Sequence, residues 1–190
     1  MMHKLLFICL IAACDDGGTP NDNEVITTVI LNFTGPTTAS PMFNDPDGDG
    51  GAAPTIDPVN LSPGTYTLSV QFQNRLGSIP EEITTEVMDE SSLHLILFTG
   101  TAVVGPATSN VTGPLTQAYA DMDANGLPIG LANTITAAAG GGTLTVTLRH
   151  MPPEEPPVKS ADTLDQAKTG GIDSLGGSTD AQVNFTVTVQ

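Results

Sequence analysis

The sequence has no tryptophan, and aromatic residues make up only 4% of it. Transmembrane β-barrels girdle both lipid–water boundaries with aromatic side chains, so a chain this poor in them does not fit one. Basic residues are equally scarce: Lys+Arg number 5 against 21 Asp+Glu, a net charge of −16. Too few cations are present to neutralise a run of phosphates, which removes nucleic acid as a partner. Catalytic signatures are missing as well. There is no G-x-S-x-G, H-E-x-x-H or G-x-x-x-x-G-K-S/T pattern. A nucleophile needs a base held by a third group, and no spacing here places such a set, so the chain is not read as an enzyme. What is present is a composition 39% hydrophobic and rich in β-branched residues, enough to build a core. The 20 glycines and 15 prolines point to many turns and few long helices.

One apolar run opens the chain. After the basic start Met1-Met2-His3-Lys4 come Leu5 to Ala13, fewer than the about 20 residues that a spanning helix needs. The run suits the core of a signal peptide over residues 1–13. It ends in Ile11-Ala12-Ala13-Cys14, which resembles the lipobox of bacterial lipoproteins. The resemblance implies that Cys14 is lipidated and becomes the mature N-terminus; an ordinary secretory signal cut nearby is the alternative. Only two cysteines exist. Cys9 leaves with the signal and Cys14 carries lipid, so no thiol remains for a disulfide or a metal. Residues 14–24 are polar and turn-rich, a flexible acidic tether. An acidic body is repelled by anionic headgroups, so the lipid alone makes the membrane contact.

Residues 25–190 read as a single all-β domain. Thr65 to Phe72 alternates Tyr66, Leu68, Val70 and Phe72 on one face with Thr65, Thr67, Ser69 and Gln71 on the other. Thr143 to His150 does the same, with Thr143, Thr145, Thr147 and Arg149 expected to face water. Val183 to Val189 and Val25 to Phe33 follow this pattern, the mark of half-buried antiparallel strands. Weaker strands are expected near 38–44, 55–61, 93–99, 112–120 and 130–136. Ile83 and Val87, four apart, suggest a short helix, as do Ser160 to Lys168 with Ser160 as N-cap.

The chain also resembles itself. Ile30 to Gly35 matches Leu95 to Gly100, Asp45 to Gly50 matches Asp121 to Gly126, and Gly64 to Val70 matches Gly142 to Leu148, in one order. The expected fold is therefore an antiparallel β-sandwich or flattened barrel of eight or nine strands with an internal two-fold repeat. The units cover about 25–79 and 93–150, followed by a long loop 151–181 and a final strand 182–189. About four strands per unit cannot bury a face alone, so the halves should share one core. An up-and-down barrel around a small ligand is the alternative.

The acidic loops carry the sharpest chemical signal. Asp45, Asp47 and Asp49, and Asp121, Asp123 and Asn125, each followed by Gly, satisfy the first half of a calcium-loop pattern. Side chains two apart in a turning loop can converge on one hard cation. The bidentate Glu of position 12 is missing, replaced by Ile56 and Ala132. Hairpin-turn chemistry accounts for the same residues, so calcium is possible and not required. His94 and His150 read as surface or loop histidines. Asp162-Thr163-Leu164 and Asp173-Ser174-Leu175 look like short O-glycosylation sites of Bacteroidetes envelope proteins, making Thr163 and Ser174 the acceptors.

The start Cys14-Asp15-Asp16, Glu24 to Thr28, Asp45 to Gly51 and Gly142 to His150 resemble a family of Bacteroidetes outer-envelope lipoproteins of unknown function. An acidic pair after the lipidated cysteine is similar to their surface-export signal, although in enterobacteria Asp there favours inner-membrane retention. Some members carry a type 1 periplasmic-binding label, which implies an α/β fold; the lack of helices alternating with strands argues against it. The resemblance implies an outer-membrane lipoprotein exposed at the cell surface, with a periplasm-facing orientation as the alternative. The expected role is a non-enzymatic structural or interaction module whose partner, protein, glycan or small molecule, is open. A carrier holding a small apolar or sugar ligand inside the β fold is the second reading, and a hydrolase with an unrecognised site the third.

Overall fold

The computed structural model describes residues 25–48 and 51–190. The signal segment, Cys14, the tether 14–24 and Asp49 lie outside the described residues. The order along the chain begins β1 (Thr28–Thr34), β2 (Thr38–Ala39), β3 (Met42–Asn44), β4 (Thr55–Ile56), β5 (Val59–Leu61) and β6 (Gly64–Asn74). After β7 (Glu81–Glu82) and helix α1 (Thr84–Asp89) come β8 (His94–Thr99), β9 (Val103–Val104), β10 (Leu115–Tyr119), β11 (Ala132–Ala137) and β12 (Gly140–His150). Helix α2 (Thr163–Gly170) and β13 (Ser178–Val189) complete it. The chain is all-β. Every expected strand forms, and the two-residue β7 and β9 are additions.

Two sheets result. The larger runs β4, β3, β1, β6, β11, β10, β9, with β2 beside β1 and β7 beside β6; the smaller runs β5, β13, β12, β8. The larger one curls into a half-barrel and stays open. Pairing is antiparallel except between β5 and β13 and between β9 and β10, which are parallel. That corrects a purely antiparallel expectation, and 13 strands among the described residues replace eight or nine because short edge pieces count separately.

The inward faces of both sheets meet in one core, where Phe33, Tyr66, Phe72, Phe98 and Phe185 are fully buried. Burying side chains of this size contributes about 1.5–3 kcal/mol each. The Tyr66 hydroxyl is not stranded: it donates to the Ser62 carbonyl at 2.8 Å and accepts from the Ser62 N–H at 3.1 Å. Ile83 and Val87 bring the short helix α1 onto this core as their spacing predicts. Thr84 fastens it to β6, its hydroxyl accepting from the Phe72 N–H at 2.9 Å.

The duplication is preserved where the fold is most central. β1 pairs with β6 in the larger sheet and β8 with β12 in the smaller, both antiparallel. The register is the same in both copies: Phe33 faces Leu68 as Phe98 faces Val146, and Leu31 faces Val70 as Ile96 faces Leu148. Each matched apolar pair points into the shared core. Beyond these pairs the copies diverge. β3 joins β1, whereas β10 joins β11 and not β8. The halves also exchange strands, β5 entering the smaller sheet and β11 the larger. A repeat of four equivalent strands per unit is therefore corrected to a repeat of one strand pair, with the remaining strands used to lock the halves together.

Residues 151–177 are more than a loop. They fold back over the outer face of the smaller sheet, where Met151, Ala167 and Leu175 pack on Leu95, Leu97 and Ala107 in a second apolar cluster. This explains why β8 reads as a continuous apolar run: it is covered on both faces. Thr147 and Arg149, expected to face water, are buried beneath this cover. Helix α2 starts at Thr163 with Asp162 at the cap position, and Ser160 does not cap it; instead the Ser160 N–H donates to Thr163 Oγ1 at 2.9 Å. The last strand starts at Ser178, four residues before the expected 182.

Candidate functional site

The covered end of the smaller sheet gathers most of the buried ionisable groups. The β8–β12 register places His94 opposite His150, and directly opposed residues bring their Cβ atoms within about 4.5–5.5 Å. The two rings stack with centroids 4.6 Å apart and planes 14° from parallel. Glu90, at the C-terminal cap of α1, completes the group: one donor atom from each of Glu90, His94 and His150 lies within 4.8 Å of the other two. His94 is buried, His150 half-buried and Glu90 exposed, so the cluster opens to solvent on the glutamate side.

Both nitrogens of His94 face acceptors. Nδ1 lies 3.3 Å from the Glu90 carbonyl, and Nε2 lies 3.7 Å from Oδ2 of Asp180 on β13. The latter is beyond hydrogen-bond reach, and this buried Oδ2 has no hydrogen-bond partner. Oδ1 of Asp180 accepts from the Ser178 hydroxyl at 3.4 Å. Burial, and next the neighbouring His150, drive the His94 pKa down to about 4, so its ring is neutral near pH 7. Burial likewise pushes the Asp180 carboxyl up to about 6, against the opposing pull of His150.

Two cations brace this end of the sheet. Lys159 Nζ meets Asp123 Oδ2 at 2.9 Å with both side chains fully enclosed, and donates to the Ser91 and His94 carbonyls at 2.8 Å each. Arg149 donates through Nη2 to the carbonyls of Leu175, Gly176 and Gly177 and through Nη1 to Thr179 Oγ1.

The acidic loops are not equivalent. In the second, Asp121 accepts the Gly130 and Ala132 N–H groups, each at 2.8 Å, one on each carboxylate oxygen. Asp123 Oδ1 accepts from Asn125 and Leu127, leaving Oδ2 for Lys159. Asn125 and Gly126 close a tight turn, with Gly126 at φ 75°. These oxygens are engaged by protein donors, so turn chemistry accounts for the residues of the second loop. In the first loop Asp45 accepts the Asp47 N–H and Asp47 the Ala52 N–H at the surface; Asp49 is outside the described residues.

The two expected glycosylation acceptors also part company. Thr163 is buried, and its hydroxyl accepts from the Ser160 N–H at 2.9 Å. Ser174 is exposed, its hydroxyl donating to the Gly171 carbonyl at 2.6 Å. His94 and His150 are corrected from surface histidines to a stacked pair beneath the 151–177 cover.

No protein-family model, curated protein or solved structure matches the chain.

Two clefts lie on the outside of the sandwich. One of ≈ 570 Å³ runs between α2 and the Thr108–Ser109 turn, and one of ≈ 440 Å³ lies over α1 and β6. Neither is lined by the core aromatics Phe33, Tyr66, Phe72, Phe98 and Phe185.

Proposed function

We propose that the chain is a non-enzymatic interaction module of the bacterial envelope, held to the outer membrane by lipid on Cys14 and docking through the outer face of its larger sheet. The observation that carries this reading is where charge is absent. The chain has 26 charged residues, 5 basic and 21 acidic, yet β1, β3, β6, β9, β10 and β11 contain none. Their exposed positions are Thr34, Thr65, Thr67, Ser69, Thr116, Ala118, Thr134 and Thr136, with Ile30, Asn32 and Gln71 half-buried on the same face and Thr67 flanked by Thr34 and Thr134 across the strands. The result is a broad face of hydroxyls and amides within an acidic molecule, matched to an uncharged partner surface. The burial of both sheets' inward side chains in one apolar cluster supports such a module over a carrier, whose ligand would need an interior cavity. Surface placement rests on the Cys14-Asp15-Asp16 start and its likeness to Bacteroidetes lipoproteins.

Two measurements test the two halves of the reading. Wild-type protein is expected in the detergent phase on temperature-induced partition, and Cys14→Ala in the aqueous phase; equal partition would remove the lipid anchor. On the Cys14→Ala background, co-sedimentation with purified envelopes is expected to fall about tenfold when Thr67→Lys and Thr134→Lys place charge at the centre of the face, with the melting temperature unchanged. Undiminished sedimentation would exclude that face.

A further inference from the structure

The stacked histidines have a feature that the docking reading leaves unused. Three Lewis-base donors converge from three separately fixed elements: Glu90 from the cap of α1, His94 from the start of β8 and His150 from the end of β12. Their donor atoms lie within 4.8 Å of one another. A tetrahedral zinc ion with bonds of about 2.1 Å needs its ligands about 3.4 Å apart, a contraction that requires the exposed glutamate to rotate and the half-buried His150 ring to turn out of its stack on His94. The neighbouring ammonium of Lys159 is matched by Asp123, so it does not oppose a cation unaided.

A second observation points the same way. Asp180 is 2% exposed and its Oδ2, without a hydrogen-bond partner, faces His94 Nε2 at 3.7 Å. A metal-binding histidine gives its other N–H to a carboxylate or a carbonyl, which fixes the ring and its tautomer. His94 has one of each, the Asp180 carboxylate beside Nε2 and the Glu90 carbonyl beside Nδ1. With Nδ1 on the ion, the Nε2–H faces the Asp180 carboxylate. An orphaned carboxylate oxygen in a dry site is costly, and a ring N–H fixed by a metal would satisfy it.

We infer that Glu90, His94 and His150 form a binding site for a divalent transition ion, zinc foremost, with Asp180 as the positioning residue for His94. Two imidazoles and one carboxylate suit zinc, copper or nickel and not calcium, which takes six to eight oxygens. The site is independent of the docking face, which lies on the other sheet, so failure of either leaves the other standing.

The test is a Zn2+ titration of the full chain, followed by calorimetry and by NMR of the histidine rings. One ion per chain is expected with a Kd in the micromolar range or tighter, shifts at both the His94 and His150 rings, and no such shifts with calcium. His150→Ala, and Glu90→Gln at an exposed position that leaves folding intact, are expected to weaken binding about 100-fold. Asp180→Asn, acting through His94 alone, should weaken it about 10- to 100-fold. Zinc taken up equally by wild type and Glu90→Gln, with both rings unmoved, would be ion held by the acidic surface and would overturn the site. So would the absence of uptake at millimolar zinc.

Discussion

Replacing Lys159 with methionine is expected to lower the free energy of unfolding by about 3–5 kcal/mol, the cost of stranding one partner of a buried ion pair. The Lys159 and Asp123 side chains are 1% and 0% exposed and meet at 2.9 Å. Nζ also serves the carbonyls of Ser91 and His94, so the ammonium is enclosed by three oxygens. Methionine fills similar space but leaves a carboxylate and two carbonyls in a dry site. Adding Asp123→Asn should recover a large part of the loss, because the bare charge disappears while Oδ1 still accepts from Asn125 and Leu127. Urea melts decide this: the midpoint falls at constant m-value in the single variant and partly returns in the double. A single variant that melts like wild type would show that the pair contributes nothing.

The same pair sets a pH dependence. Burial alone would raise the Asp123 carboxyl, but the Leu127 N–H, the Lys159 ammonium and the Asn125 N–H outweigh it and hold the pKa below the ordinary value. A carboxyl depressed by folding contributes stability that is present above its unfolded pKa and lost as pH falls through the folded one. Wild type and Asp123→Asn should thus differ at neutral pH and converge on acidification. Calcium at about 1 mM, the range of weak extracellular sites, should leave their difference unchanged, because Asp123 serves Lys159 and not an ion.

The parts of this fold that were legible in the sequence are those fixed by local alternation. Tyr66, Leu68, Val70 and Phe72 mark β6 because a half-buried strand shows its period directly. The duplication added more than local pattern can: the matching segments Ile30 to Gly35 and Leu95 to Gly100 do pair with equivalent partners in equal register. What was not legible is what covers an outer face. Thr147 and Arg149 alternate like any solvent-facing pair, and only the return of 151–177 buries them. The candidate metal cluster was hidden for a related reason. His94 and His150 become neighbours through strand register, and Glu90 and Asp180 arrive from a helix cap and a strand with no spacing signal between them. In the second acidic loop the aspartate spacing was real, but backbone N–H groups satisfy it, a competition that spacing alone cannot reveal.

Arg149→Met is expected to free the 151–177 cover while the two sheets stay folded. The β12–β13 register shifts at Leu148/Arg149, leaving Asp180 of β13 as the extra residue, and the Arg149 guanidinium holds the carbonyls of Gly176 and Gly177 at 2.6 and 2.7 Å and Thr179 Oγ1 at 2.7 Å. Hydrogen bonds to a charged donor contribute about 1.5–3 kcal/mol each, so losing those to the Gly176 and Gly177 carbonyls costs at least about 3 kcal/mol locally. Backbone amides of 151–177 should then exchange about 100-fold faster, with those of β6 and β13 little changed. Lysine at this position cannot fork over several carbonyls, so Arg149→Lys should restore only part of the protection. The turn under the guanidinium gives an independent route to the same state. Gly177 has φ 74° and a Cβ there would strike the His150 carbonyl, so Gly177→Ala should open the cover with Arg149 intact. Both variants should keep sedimenting with envelopes, since the uncharged face lies on the larger sheet. Exchange that rises equally in β6 and in 151–177 would mean that the cover is part of one cooperative unit, and that Arg149 supports the sandwich as a whole.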